Sequence, residues 1–100
     1  MLKIIENPEE FTEAKEKNEV MIANFFATWC GPCQMFAPVL EKFAIKSDLT
    51  ILKIDIDGFG DFASEYNIQG VPTTILIKNG QEVKRETGFI PENKLEEFIK

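Results

Sequence analysis

The chain has 100 residues, 44% of them apolar with nine Phe, and 11 basic against 17 acidic side chains give a net charge of −6. That length suits one compact domain over residues 1–100 and leaves no room for a second. There is no concentrated basic patch, which argues against a nucleic-acid partner, and no run approaches the roughly 18 apolar residues of a membrane-spanning helix. Met1 to Ile5 meets Glu6, Glu9 and Glu10 before a signal-peptide core could form, so a cytoplasmic location is expected.

Leu2 to Ile5 reads as a short edge strand. Asn7-Pro8-Glu9-Glu10 then starts a helix, with Asn7 as N-cap, Pro8 in the first turn and Glu10 closing a capping box. This helix offers only Phe11 and Ala14 to a core. Val20 to Ala27 is apolar throughout except for Asn24, the pattern of a central strand buried on both faces. Phe36, Val39, Leu40 and Phe43 follow at helical spacing, with Pro38 expected to kink that helix. Leu49 to Ile56 is a third strand, broken by Gly58-Phe59-Gly60, and Asp61 to Tyr66 a short helix. Thr73 to Ile77 and Glu82 to Thr87 flank an Asn79-Gly80 step, which favours positive backbone dihedrals and predicts a hairpin. Pro91 opens a last helix using Leu95, Phe98 and Ile99. The order β-α-β-α-β-α-β-β-α predicts an α/β fold: a central mixed sheet of four to five strands between layers of helices, four in all.

Cys30 and Cys33 are the only cysteines. A disulfide closing so short a loop removes little unfolded-chain entropy, so a purely structural bridge here would stabilise little. Cys-x-x-Cys pairs are redox-active or metal-binding. A zinc site needs four ligands, and a chain with no His and two Cys cannot supply them alone; only a metal shared between two copies stays open. For redox work the position is apt. A free thiol has a pKa of about 8.5, and only its thiolate attacks a disulfide. Cys30 precedes a predicted helix start, where unpaired N–H groups and the positive dipole end favour an anion, and Cys33 lies just inside the helix.

Trp29-Cys30-Gly31-Pro32-Cys33, with Ala27 before it and Met35, Ala37 and Pro38 after it, resembles the active-site signature of the thioredoxin family. Gly70-Val71-Pro72-Thr73 resembles that family's loop in which a cis proline faces the disulfide. The likeness runs from the first helix to the last. It implies the thioredoxin-like three-layer α/β/α fold and a protein dithiol–disulfide oxidoreductase. Cys30 would form a mixed disulfide with a client protein, Cys33 would resolve it, and a thioredoxin reductase would restore the dithiol. The redox-active Cys30–Cys33 pair would serve without cofactor or metal, in a monomer. Trp29, Gly31, Pro32, Val71, Pro72 and Gly88 would line the client-binding surface. Taken alone, Trp29 could be core, Pro72 a trans residue opening a strand, and Gly88 a strand-end glycine.

The chain departs from the family pattern behind the site. A buried Asp that the family pairs with a Lys is replaced by Asn24, while the Lys is present as Lys53. Asn cannot exchange a proton at neutral pH, so help for Cys33 must come from water or elsewhere. One expectation is that Asn24 favours the Cys30 thiolate and slows resolution by Cys33; the other is that it is a hydrogen-bonded buried amide without kinetic effect. Phe26 stands where a second Trp is common, and Gln34 where a Lys is frequent. Two other roles stay open from the sequence: an oxidant or isomerase, and a binding subunit whose thiols are incidental.

Overall fold

The computed structural model describes residues 1–100. Strands β1 (Leu2–Ile4), β2 (Val20–Phe26), β3 (Thr50–Asp55), β4 (Thr73–Lys78) and β5 (Gln81–Thr87) form one sheet in the order β1-β3-β2-β4-β5. Helices α1 (Pro8–Lys17), α2 (Gly31–Ser47), α3 (Gly60–Glu65) and α4 (Glu92–Phe98) cover it. The first three strands are parallel to one another, while β4 runs antiparallel to β2 and β5 antiparallel to β4. This is the predicted mixed sheet, with five strands and four helices.

Local chemistry accounts for most element ends. The capping box of α1 is complete: Glu10 N–H donates to Asn7 Oδ1 at 3.2 Å, and Asn7 N–H donates to Glu10 Oε2 at 3.3 Å. The hairpin turn places Asn79 and Gly80 at φ 52° and 78°, as a two-residue turn matched to the sheet twist requires. Pro38 lies inside α2 without ending it. Helix α3 starts one residue before the predicted Asp61 and has no side-chain cap at Phe59, as its Gly-Phe-Gly start implied. Ile5, Ala27, Leu49 and Ile56 fall outside the strands predicted to contain them. The backbone ladder nevertheless continues past two of those ends, through Ile5 N–H to Lys53 O and Ile56 N–H to Phe26 O.

Alternation along the strands divides the core in two. Met21, Ala23 and Phe25 of β2 face one side, packed with Leu52, Ile54, Ile75 and Ile77 against Phe11 and Ala14 of α1 and Ala63 of α3. Ile22, Ile51 and Leu76 face the other, against Phe36, Leu40 and Phe43 of α2 and Leu95 and Phe98 of α4. The β5 edge is exposed at every residue and carries Glu82, Lys84, Arg85 and Glu86, charges that discourage pairing with another chain.

Candidate active site

Topology gathers the predicted site residues at one end of the sheet. Strand β2 ends at Phe26 and delivers Trp29 to Cys33 immediately beyond it. Because β4 runs antiparallel, with Phe25 opposite Thr73, the residues just before β4 arrive at the same end. Thr73 is in turn opposite Thr87, so the residues after β5 arrive there too. Gly88, at φ 108°, donates its N–H to Pro72 O at 2.7 Å and ties the last two loops together. That dihedral favours glycine, so Gly88 is both a strand-end residue and a neighbour of Pro72. The Val71–Pro72 peptide is cis.

Cys30 and Cys33 are disulfide-bonded, with Cα atoms 5.2 Å apart. Cys30 is the N-cap of α2, and its Sγ accepts the Cys33 N–H at 3.2 Å. Pro32 at the second helical position has no N–H to satisfy. The Val71 carbonyl oxygen lies 3.6 Å from Cys30 Sγ. Both sulfur-bearing residues are buried, packed with Phe26 and Ala27 and touched by Val71. Around them Gly31 and Pro32 are exposed and Val71 half-buried. Trp29 is 67% exposed, a surface residue and not a core one.

Behind the cysteines, the sheet register assembles a polar row that the sequence showed only in part. Asn24 is paired with Lys53 on β3 and with Thr74 on β4, and all three are buried on the α2 side. Asn24 makes no hydrogen bond to Lys53; its Nδ2–H donates to Thr74 Oγ1 at 3.3 Å. The Lys53 ammonium lies over the Phe26 ring, 4.4 Å from its centroid. Burial pushes the Lys53 pKa below the usual lysine value, opposed by the charge of Glu41.

Three neighbours escaped the sequence reading. Asp57 accepts the Trp29 indole N–H at 2.8 Å and so fixes the ring beside Cys30. Thr74 completes the polar row, and its place beside the apolar run Ile75-Leu76-Ile77 was the available signal. Phe89, 40% exposed, stacks edge-on against Phe36 at 5.6 Å and extends the apolar surface beyond Gly88. No group of three or more His, Cys, Asp or Glu side chains is arranged to hold a metal ion.

Residues 3–100 match the Thioredoxin family model. The chain is 37% identical to a thioredoxin of Mycoplasmoides gallisepticum over 100 residues, covering 99% of this chain and 100% of that one. It is 40% identical to a Staphylococcus aureus thioredoxin over 89 residues, 87% of this chain and 86% of that one. Its structure superposes on that of a mutant thioredoxin from Halobacterium salinarum with a TM-score of 0.91 at 38% identity, covering 98% of this chain and 86% of that one. A Cys-Gly-Pro-Cys pair capping a helix beside a cis-proline loop, in a chain so matched, belongs to the thioredoxin family of dithiol–disulfide oxidoreductases.

Proposed function

We propose that the protein reduces disulfides in client proteins with Cys30 as nucleophile and Cys33 as resolving thiol, and that a thioredoxin reductase regenerates the dithiol. The observation that carries this assignment is the cap: Cys30 Sγ already accepts a helix N-terminal N–H at 3.2 Å. The same donor and the dipole of α2 stabilise negative charge there once the bond is reduced. The thiolate of Cys30 attacks one sulfur of the client disulfide and the other sulfur leaves as a thiolate. Cys33, deprotonated, then attacks Cys30, which releases the second client sulfur and closes the Cys30–Cys33 bond. Two electrons pass to the client, and the reductase returns two.

Trp29, Gly31, Pro32, Val71 and Gly88 form the docking surface in this reading, with the buried Pro72 shaping the loop that carries Val71. An extended client segment would pair its backbone with the main chain of half-buried Val71, strand to strand. Reduction of clients requires a compartment that keeps thiols reduced, which makes the cytoplasm the proposed location.

Insulin reduction with an NADPH-dependent or a ferredoxin-dependent reductase as donor tests the assignment and identifies the donor class. Cys30→Ser should abolish turnover, and Cys33→Ser should accumulate the mixed disulfide with the client. Trp29 fluorescence should rise on reduction of the neighbouring disulfide. Equilibration with glutathione tests direction: a strongly oxidising potential would mark an oxidant and overturn the reductase reading.

A further inference from the structure

We infer that the open edge of β1 and the groove beside it dock an extended segment of another protein. That segment carries a large apolar residue between two basic ones. Strand β1 ends the sheet. Its ladder to β3 is bounded by Ile51 N–H donating to Met1 O at 2.8 Å and Ile5 N–H donating to Lys53 O at 3.0 Å. Alternation along the strand turns the N–H and C=O groups of Leu2 and Ile4 outward, where no strand of this chain covers them. The opposite edge is guarded by the charges of β5. On β1 the single charge, Lys3, is held in an ion pair with Glu10.

Apolar surface collects at the same edge. Met1 is 61% exposed, Ile4 52% and Ile45 85%. Met1, Leu2, Ala44 and Ile45 line a groove of about 470 Å³ between β1 and the last turns of α2, and Ile4 follows Leu2 on the same face of the sheet. The groove lies at the end of α2 remote from Cys30, on a strand separated from β2 by β3. It is therefore distinct from the surface around the disulfide.

Charge narrows the occupant. Glu41 and Asp48 border the groove, exposed carboxylates that enter no ion pair. The lysines of α2 turn the other way, Lys42 and Lys46 to Glu92 of α4 and Lys46 also to Glu96. The Met1 ammonium donates to the Leu49 carbonyl, and Lys53, on which the Glu41 charge acts, is buried. Seven residues of helix set Glu41 and Asp48 about 10 Å apart along its axis. In an added strand, residues i and i+4 face the same way about 13 Å apart. Flexible Lys or Arg side chains at those positions reach both carboxylates, while the apolar residue at i+2 enters the groove. The segment's backbone bonds Leu2 and Ile4, as a strand adds to an open edge. A second copy of this chain fits less well. Pairing Leu2 with Ile4 across a two-fold axis would set Lys3 on Lys3 and join two molecules of net charge −6.

The acetylated and amidated peptide Thr-Lys-Thr-Leu-Thr-Lys-Thr is a direct probe, titrated into ¹⁵N-labelled protein. Amide shifts should concentrate at Leu2, Lys3, Ile4, Ala44, Ile45 and Asp48, with a dissociation constant below about 1 mM at low salt. Exchanging both Lys of the peptide for Glu should weaken binding about tenfold or more, as should about 0.5 M salt. Ile45→Lys, at an exposed position that folding does not depend on, should weaken it equally while insulin reduction stays at the unaltered level. No binding, equal binding of the acidic peptide, or shifts gathered around Trp29 and Val71 would overturn the inference. So would concentration-dependent shifts at Leu2 and Ile4 without peptide, which would give the edge to a second copy. Peptide binding is read without client reduction, so failure of the insulin assay in the unaltered protein would sink the proposed function separately.

Discussion

The two faces of the sheet are built from the same strands yet differ in kind. On the α1–α3 face, the buried rows read Met21–Ile77, Ala23–Leu52–Ile75 and Phe25–Ile54–Thr73, with Thr73 the one polar member, closed over by Phe11 and by the rings of Phe62 and Tyr66. On the α2–α4 face one row is equally apolar, Ile22–Ile51–Leu76, but the next is Lys53–Asn24–Thr74. Burying such groups costs free energy unless they are bonded or do something, so a polar row confined to the end beneath the cysteines marks where stability is given up for chemistry. The apolar face holds the sheet rigid. The polar row lies behind the end of β2 that leads into the cysteines.

That division can be broken experimentally. The largest effect should come from Cys30→Ser, with insulin reduction falling by about a thousandfold or more while the reduced protein melts almost where it did before. Phe11→Ala, on the opposite face, should do the reverse. Loss of a buried ring that touches both Phe62 and Tyr66 costs about 3–5 kcal/mol in chemical denaturation, with activity per folded molecule unchanged. Comparable activity loss in that variant would show that the faces are not separate.

Lys53→Met sharpens the comparison further, because it should raise the melting temperature by removing a buried charge. The sign follows from linkage. Burial lowers the folded-state pKa of Lys53 below its unfolded value, so the unfolded chain binds the proton more tightly. The resulting destabilisation is fully present at neutral pH and is relieved as pH rises from the folded pKa toward 10.5, the unperturbed value. The gain in melting temperature should therefore be greatest near neutrality and shrink in alkaline buffer; a loss at neutral pH would contradict it. Asp57→Ala is expected to cost a few-fold in turnover, since a hydrogen bond of about 1 kcal/mol orients Trp29. The smallest change belongs to Glu92→Gln. Lys46 beside Glu92 holds its carboxyl below the usual value. Its contribution is present above pH 4.5, the unperturbed pKa, and is lost as pH falls through the folded pKa. Melting curves at low salt should detect the substitution, and about 1 M salt should erase the difference because the pair is exposed.

Most elements were legible from the chain because their signals are local. Asn7, Pro8 and Glu10 specify the start of α1 without reference to anything distant, and Asn79-Gly80 specifies the hairpin in the same way. The α2 start was legible too, and with it the privileged position of Cys30. Strand ends at Ile5, Ala27, Leu49 and Ile56 were overextended, because an apolar side chain can pack against the core after the ladder has stopped. Asn24 and Lys53 were both marked, but not the amide's own partner, which is Thr74 on the opposite neighbour strand.

By itself, then, the sequence determined the α/β order, the caps and turns, and a cysteine placed to be a thiolate, since each depends on residues a few positions apart. Only the tertiary structure decided which loops meet at that cysteine, which residue bonds Asn24, that Asp57 holds Trp29, and that the Lys53 ammonium lies over the Phe26 ring. Those contacts join residues tens of positions apart, and strand order and register bring them together. Register carries a side chain to one face or the other with each single-residue step, and no local pattern in this chain encodes that choice for Thr74 or Lys53.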